Sequence, residues 1–132
     1  MQDDVSTNPR PRPPLRQTLP KSARICARAD FDRTFKSKRR ASDANLTVYM
    51  AANSGAVARL GISASRRLGG AVVRNRIKRL VREAFRRLRN DLPPGTDWVV
   101  IPRRGNAGLA ELSASLDQLV RELLNPSERD AR

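Results

Sequence analysis

The chain has 132 residues, of which 27 are Lys or Arg and 13 are Asp or Glu, so its formal net charge is +14. Hydrophobic residues make up 39%, which suffices for one small core, and no apolar run reaches the ~18 residues needed to cross a bilayer. The absence of His and the single Cys26 exclude Ser-His-Asp catalysis, Cys-His catalysis, an ordinary zinc cluster and a disulfide-stapled fold. The sequence pI of about 11.7 indicates a polyanionic partner, either nucleic acid or an anionic membrane surface.

The two ends of the chain are predicted to lie outside the folded domain. Residues 1–22 hold five of the nine prolines and show no apolar periodicity, which predicts a disordered, basic arm. This arm has no continuous apolar segment of the kind found in secretory signal peptides, so we expect a cytoplasmic protein. The folded domain is expected over 23–126, followed by a polar tail over 127–132.

One helix and two strands are predicted in the first half of the domain. Phe31 and Phe35 are four residues apart, which indicates a short amphipathic helix over 29–35. Apolar and polar residues alternate over 46–52, which is typical of a half-buried strand, and a second strand is predicted over 57–63. Because only a short turn separates these strands, we expect them to pair as an antiparallel hairpin.

A second helix, a third strand and a third helix follow. The longest periodic segment begins after Gly69-Gly70 and predicts a helix over 71–89. The apolar run over 97–101 predicts a compact buried strand, and regularly spaced leucines predict a last helix over 109–124. The order α-β-β-α-β-α indicates an α+β fold, a small sandwich of one sheet and its helices.

The helix over 71–89 concentrates the positive charge. Ten of the 27 basic residues fall within 66–89, where Glu83 is the single acid. Apolar residues occupy one side of the helix and cations the other. Like charges four residues apart, as at Lys78, Arg82 and Arg86, repel by a few tenths of a kcal/mol per pair. An ordinary solvated face mixes signs, so this face is better explained as a surface for phosphates, although charge alone does not separate RNA from DNA.

The segment over 65–86, SRRLGGAVVRNRIKRLVREAFR, closely resembles the signature of the bacterial ribonuclease P protein component. That signature has Ser, two basic residues, Gly, Ala-Val, then Arg-Asn-Arg and further basic residues on the same helix. The resemblance covers about Arg24 to Leu124, and it includes strand segments at 48–49, 59–63 and 98–103. Gly70 departs from the pattern, since a polar or charged residue is common there.

The resemblance implies a function and a fold. Proteins of this family are RNA-binding cofactors of a catalytic RNA that removes the 5′ leader from precursor tRNA, as the protein subunit of a ribonucleoprotein endoribonuclease. The implied partners are that catalytic RNA and the leader, without a membrane or a small-molecule substrate. Mg²⁺ is expected to act through the RNA, so no catalytic or metal-binding residue is expected in the protein. The implied fold includes a left-handed βαβ crossover, an exception to the usual hand.

The resemblance also implies two sets of RNA-binding residues. The Arg-Asn-Arg helix would contact the catalytic RNA through Arg74, Asn75, Arg76, Lys78, Arg79 and Arg82. A cleft between the sheet and the first helix would hold the single-stranded leader through Phe31, Phe35, Tyr49, Ser63, Arg66 and Arg67. Tyr49 shares a strand face with Thr47, opposite the apolar set, so it can offer a stacking platform for a base. Phe31 and Phe35 are compatible with either a core position or an exposed one.

Two other functions are compatible with a basic α+β chain. The first is a structural RNA-binding protein of the ribosomal or RNA-chaperone type. The second is a helix-turn-helix DNA regulator with 71–89 as the recognition helix. The second fits less well, because a strand rather than a short helix is predicted ahead of Gly69-Gly70.

Overall fold

The computed structural model describes Leu19 and residues 21–25, 27–53 and 55–125. Most of the predicted arm over 1–22 and the whole predicted tail over 127–132 lie outside these residues, as does Cys26. The described elements, in chain order, are α1 (Arg28–Lys36), β1 (Arg40–Ser42), β2 (Leu46–Ala52), β3 (Arg59–Ile62), α2 (Ala71–Leu88), β4 (Thr96–Pro102) and α3 (Leu109–Leu124). Short 3₁₀ turns occur at Lys21–Ala23, Arg66–Leu68 and Arg89–Asp91.

The predicted order α-β-β-α-β-α is confirmed, with the short strand β1 added before β2. The bounds of β2 and α3 agree with the prediction, and α2 ends one residue earlier than expected. The alternation that predicted β2 is also confirmed, because residues 46–51 alternate between buried and half-buried. The fold is therefore an α+β sandwich, as the sequence indicated.

The predicted hairpin between β2 and β3 is wrong. The strand order is β1-β2-β4-β3, so that β4 lies between the two strands expected to pair. β2 pairs with β4 antiparallel, and β3 pairs with β4 parallel. The continuous apolar run of β4 explains this outcome: residues 96–100 are all buried, and a strand buried on both faces belongs in the centre of a sheet.

The helix α2 connects β3 to β4 and forms a parallel β-α-β crossover. Parallel neighbours require such a long connection, whereas a two-residue turn can join antiparallel strands. The left hand expected for this crossover stays a prediction from the resemblance.

One face of the sheet forms the core with α2 and α3. Val48 of β2 lies opposite Val100 of β4, and Leu60 of β3 lies opposite Trp98. All four residues are buried. The helices complete this core with side chains that are fully excluded from solvent: Ile77, Val81, Phe85, Leu112, Leu116 and Leu119.

The opposite face of the sheet carries α1 at one end and is open at the other. Side chains on this face include Tyr49 and Thr47 of β2 and their β4 neighbours Val99 and Ile101. Val99 is buried, whereas Ile101 is half-buried. This half-covered face and the solvent side of α2 are the two surfaces on which the predicted site residues lie. Within the described residues, no helix is both long and apolar enough to cross a membrane.

Candidate nucleic-acid interface

The helix α2 has the two-sided character that its sequence predicts. Ile77, Val81, Ala84 and Phe85 are buried against the core. On the solvent side, Asn75 and Arg79 are exposed. The other predicted members of the set are half-buried: Arg74, Arg76, Lys78 and Arg82. The six residues therefore do not present equivalent side chains to a partner.

Arg76 is engaged with the protein itself. Its guanidinium donates to the carbonyl oxygen of Gly105 at 3.3 Å and to that of Ala107 at 3.2 Å. These carbonyls belong to the loop between β4 and α3. Arg76 therefore ties the start of α2 to this loop, a structural contact that its sequence position did not reveal.

Three cations converge where α2 meets the edge of the sheet. Lys78 and Arg82 of α2 and Arg24 line a cavity of about 150 Å³ beside Phe31 and Leu60. No described lining residue of this cavity is acidic. Burial, followed by the neighbouring charge of Arg24, lowers the pKa of the Arg82 guanidinium from its ordinary value. The cavity thus holds positive charge that a phosphate can neutralise.

Arg24 was not among the residues predicted from the signature helix. The chain next to it runs alongside β3, where Arg24 forms an isolated parallel bridge with Leu60 and the N–H of Ile25 donates to the Leu60 carbonyl at 2.8 Å. This pairing brings Arg24 to α2 across a long separation in sequence. The resemblance includes Arg24 but gives it no RNA-binding role.

The C-terminal end of α2 is less positively charged than its number of arginines suggests. Glu83 forms ion pairs with Arg86 and with Arg87. Hydrogen bonding from Arg86 is the main reason that the pKa of Glu83 lies below its ordinary value. The uncompensated charge of the helix therefore lies toward its N-terminal half.

The predicted cleft residues Phe31, Phe35 and Tyr49 form one aromatic cluster. The ring centroids of Phe31 and Phe35 are 6.3 Å apart, and those of Phe35 and Tyr49 are 5.2 Å apart in an edge-to-face arrangement. Such geometry is the preferred one for aromatic pairs. Phe35 is 36% exposed and Tyr49 is half-buried, so both rings reach the surface.

The sequence left open whether Phe31 and Phe35 are buried or exposed, and the structure gives a different answer for each. Phe31 is half-buried, and its ring lies against Gly61 of β3, where an added Cβ would come within 2.8 Å of two ring carbons. Phe35 points outward beside Tyr49. Phe31 is therefore mainly a packing residue, and Phe35 is the more accessible platform.

The remaining cleft residues lie farther along the same face. Ser63 continues β3, and its N–H donates to the Val100 carbonyl at 3.0 Å. Arg66 and Arg67 are exposed in the 3₁₀ turn that follows. A groove of about 420 Å³ there is lined by Thr47, Ser65, Arg67, Leu68, Ile101, Pro102 and Arg103. Because Thr47 is two residues from Tyr49 on the same strand face, the aromatic cluster and the groove adjoin.

Arg103 is a groove residue that the site prediction missed. It follows β4 directly, and its guanidinium donates to the Asp43 carbonyl at 2.8 Å and to the Ser42 hydroxyl at 3.2 Å. These bonds hold an exposed cation at the rim of the groove. The sequence placed Arg103 next to the last strand but could not show which face of the sheet it joins.

A buried carboxylate lies at the other end of this face, under α1. Asp97 of β4 has no exposed surface. It accepts hydrogen bonds from Arg59 at 2.8 and 2.7 Å, from Asn53 at 2.6 Å, and from Arg33 of α1. Burial raises the pKa of Asp97, but the bonds from Arg59 and Asn53 outweigh it and leave this pKa below its ordinary value.

The carboxylates of this region are already paired with arginines. Mg²⁺ is bound in proteins by carboxylate and other oxygen ligands. Asp30 and Asp97, the carboxylates under α1, are paired with Arg33 and Arg59. In the described part of the chain, no group of three or more His, Cys, Asp or Glu side chains is placed to hold a metal ion.

Comparison with known proteins connects this arrangement to one family. A family model described as Ribonuclease P matches residues 19–124. The ribonuclease P protein component of Oleidesulfovibrio alaskensis is 38% identical over 116 residues, which cover 86% of this chain and 90% of that protein.

Solved structures agree with this match. The RNase P protein of Staphylococcus aureus superposes with a TM-score of 0.68 at 34% identity, covering 76% of this chain and 94% of that one. The RNase P protein of Thermotoga maritima superposes with a TM-score of 0.65 at 34% identity, covering 74% and 96%. Because the family model, the curated relatives and the solved structures agree, the chain belongs to the ribonuclease P protein component family.

Proposed function

We propose that this protein is the RNA-binding cofactor of a catalytic RNA that removes the 5′ leader from precursor tRNA. Membership of the family makes it part of a tRNA-processing endoribonuclease. The observation that supports its specific role is the presence of two different RNA-binding chemistries on separate elements: uncompensated cations on α2, and exposed aromatic rings on the half-covered face of the sheet. A protein that only neutralised phosphates would need only the cations on α2.

The part of α2 that precedes Glu83 is proposed to bind the catalytic RNA. Arg79 is exposed, and Lys78 and Arg82 line the cationic cavity with Arg24. Arginine binds phosphate with two parallel hydrogen bonds, so these side chains suit an RNA backbone. Exposed Asn75 both donates and accepts, which suits a base edge or a ribose hydroxyl. Arg74 belongs to the same proposed surface, whereas Arg76 positions its loop.

The aromatic cluster and the adjoining groove are proposed to bind the single-stranded leader. Single-strand binders combine aromatic rings, on which bases stack, with a cationic groove that follows the backbone. Phe35 and Tyr49 supply the rings, and Ser63 lies on the same face. The cations along the proposed path of the leader are Arg66 and Arg67. Arg103, at the rim of the groove, adds a third.

The hydrolytic chemistry is proposed to belong to the RNA and its Mg²⁺ ions. The chain has no His, and the carboxylates under α1 are paired with arginines. The protein's contribution is to hold the leader and to supply fixed positive charge beside the phosphates. Fixed charge of this kind replaces part of the counterion atmosphere, so it lowers the Mg²⁺ concentration that the RNA needs.

Reconstitution at low Mg²⁺ tests this proposal. The protein is added to a bacterial ribonuclease P RNA and a precursor tRNA at a Mg²⁺ concentration where the RNA alone cleaves poorly. We expect cleavage at the 5′ end of the mature tRNA to be restored. The matched control repeats the assay at high Mg²⁺, where the RNA is active without protein. Tight binding to both RNAs without any stimulation of cleavage would instead favour a structural RNA-binding protein.

A further inference from the structure

We propose that Asp97 is a positioning residue, which fixes α1 on the sheet and thereby sets the geometry of the aromatic surface for the leader. The inference rests on the proposed function in that the leader is taken to bind Phe35 and Tyr49. Asp97 itself has no exposed surface, so it cannot contact RNA. Any effect of Asp97 on leader binding must therefore pass through the residues that it holds.

Asp97 joins four separate segments of the chain. Its two carboxylate oxygens accept from Arg59 of β3 at 2.8 and 2.7 Å and from Asn53 after β2 at 2.6 Å. Arg33 of α1 donates to the same carboxylate and to the Ala52 carbonyl. The carboxylate thus lies at the centre of a network that binds α1 to three segments of the sheet.

A second carboxylate, Asp30 of α1, also belongs to this network. Asp30 of α1 lies 3.4 Å from the Arg59 guanidinium and 3.6 Å from that of Arg33. Two arginines and two carboxylates therefore alternate across the contact between α1 and the sheet. The charged hydrogen bonds to Asp97 are directional, so they specify an orientation as well as a distance.

The apolar contacts of α1 with the sheet are few: the Phe31 ring lies against Gly61, and the Phe35 ring lies against Tyr49. All nine of its residues are described, and among them Thr34 alone is buried. The Thr34 hydroxyl donates within the helix to the Asp30 carbonyl at 2.8 Å. A hydrophobic interface is non-directional and tolerant of small shifts. Here the ion-pair network has the larger part in deciding where the helix lies.

The position of α1 determines the aromatic surface directly. Arg33 lies between Phe31 and Phe35 in the helix, and the Phe35 ring contacts Tyr49 of β2 edge-to-face at 5.2 Å. A small rotation of α1 would change that distance, while the core on the other face of the sheet would remain intact. The chain has one Tyr and one Trp, so Tyr49 and the buried Trp98 report the two faces separately.

The experiment uses Asp97→Asn in the full-length protein. Isotope-labelled Tyr and Trp follow the Tyr49 ring and the Trp98 indole by NMR. The holoenzyme then gives dissociation constants for precursor tRNA and for mature tRNA. We expect the Tyr49 resonances to shift while Trp98 stays native. The preference for precursor over mature tRNA should fall about tenfold, equivalent to one lost base–aromatic stack.

Two further variants make the result decisive. Arg33→Lys keeps the charge of α1 but loses the two-pronged guanidinium, so it should reproduce the effect even if Asp97→Asn does not fold. Asp117→Asn removes a carboxylate that pairs with Arg121 on α3, and it should change neither readout. Unmoved Tyr49 resonances, or equal losses for precursor and mature tRNA, would overturn the proposal. A wild-type holoenzyme without leader preference would instead contradict the proposed function, and the NMR result would still test the placement of α1.

Discussion

The Phe31 ring lies directly against the backbone of Gly61, so close that a Cβ on Gly61 would come within 2.8 Å of two ring carbons. Gly61→Ala should therefore push Phe31, and α1 with it, away from β3. We expect a loss of about 1–3 kcal/mol in the free energy of unfolding, the usual cost of overpacking. Urea denaturation of the wild type and the variant measures it.

A second substitution at the same contact tests the cause of that loss. Phe31→Leu in the Gly61→Ala background removes the clashing ring, so the double variant should recover part of the stability. Gly70→Ala serves as the glycine control, because no atom lies within 4 Å of its added Cβ. Additive effects of the Phe31 and Gly61 changes in this cycle would contradict the contact.

Arg76 and Arg79 lie three residues apart on α2 but should behave differently on substitution. Arg76→Ala removes two hydrogen bonds from a charged group to loop carbonyls, so we expect it to cost about 1.5–3 kcal/mol of stability. Arg79 is exposed, and Arg79→Ala should change stability by less than about 0.5 kcal/mol. Instead it should weaken binding to the catalytic RNA. Thermal unfolding and RNA titration separate the two effects, and equal stabilities of the two variants would refute this assignment.

The loop contact of Arg76 shows what sequence patterns leave out. The spacing of apolar residues correctly predicted which side of α2 is buried, because that spacing follows from the helix period alone. The partners of Arg76 lie in a loop about 30 positions away along the chain. Such a contact depends on how α2 and α3 pack against each other, and periodicity carries no information about that packing.

The hairpin prediction failed for a related reason. Proximity in sequence favoured pairing β2 with β3, and both strands were correctly located. The burial of β4 on both faces placed it between them. Asp97 was missed as well, since an acid at the start of an apolar strand resembles an exposed flanking residue. The three segments that surround it meet there because β4 lies in the centre of the sheet.

Acid should destabilise the protein through carboxylates whose pKa values are lowered in the folded state. For Asp97 burial raises the pKa, but bonds from Arg59 and Asn53 lower it more, and for Glu83 bonding from Arg86 lowers it. A lowered folded-state pKa stabilises the protein above the ordinary pKa of the group, and this stabilisation is lost as the pH falls through the folded-state value. Urea midpoints should therefore drop as the pH falls below the ordinary pKa values of these groups, 3.8 for Asp97 and 4.5 for Glu83.

The variant Asp97→Asn isolates the part of this pH dependence that Asp97 contributes. Asn cannot titrate, so the variant should be less stable than the wild type at pH 7 and should lose less stability on acidification. A fall in the urea midpoint that is equally steep in both proteins would show that Asp97 does not contribute to the acid sensitivity.

Salt should weaken RNA binding in proportion to the phosphates contacted. For single strands the log–log slope is roughly 0.7 per phosphate contact. For the catalytic RNA, Arg79→Gln should reduce the magnitude of the slope by roughly 1, the loss of one phosphate contact. Arg121→Gln is the matched control, because Arg121 is exposed on α3 and paired with Asp117. Identical slopes for wild type and Arg79→Gln would exclude a phosphate contact at Arg79.

The ring of Tyr49, rather than its hydroxyl, should determine the affinity for the leader. The hydroxyl accepts a hydrogen bond of 3.3 Å from exposed Arg40, which Tyr49→Phe removes while keeping the ring and its contact with Phe35. Tyr49→Ala removes the stacking surface, so we expect precursor binding to weaken by about 1–3 kcal/mol. Mature tRNA should bind unchanged, because it has no leader. Filter-binding titrations with both substrates measure this difference. A loss of precursor affinity in Tyr49→Phe as large as that in Tyr49→Ala would assign recognition to the hydroxyl instead.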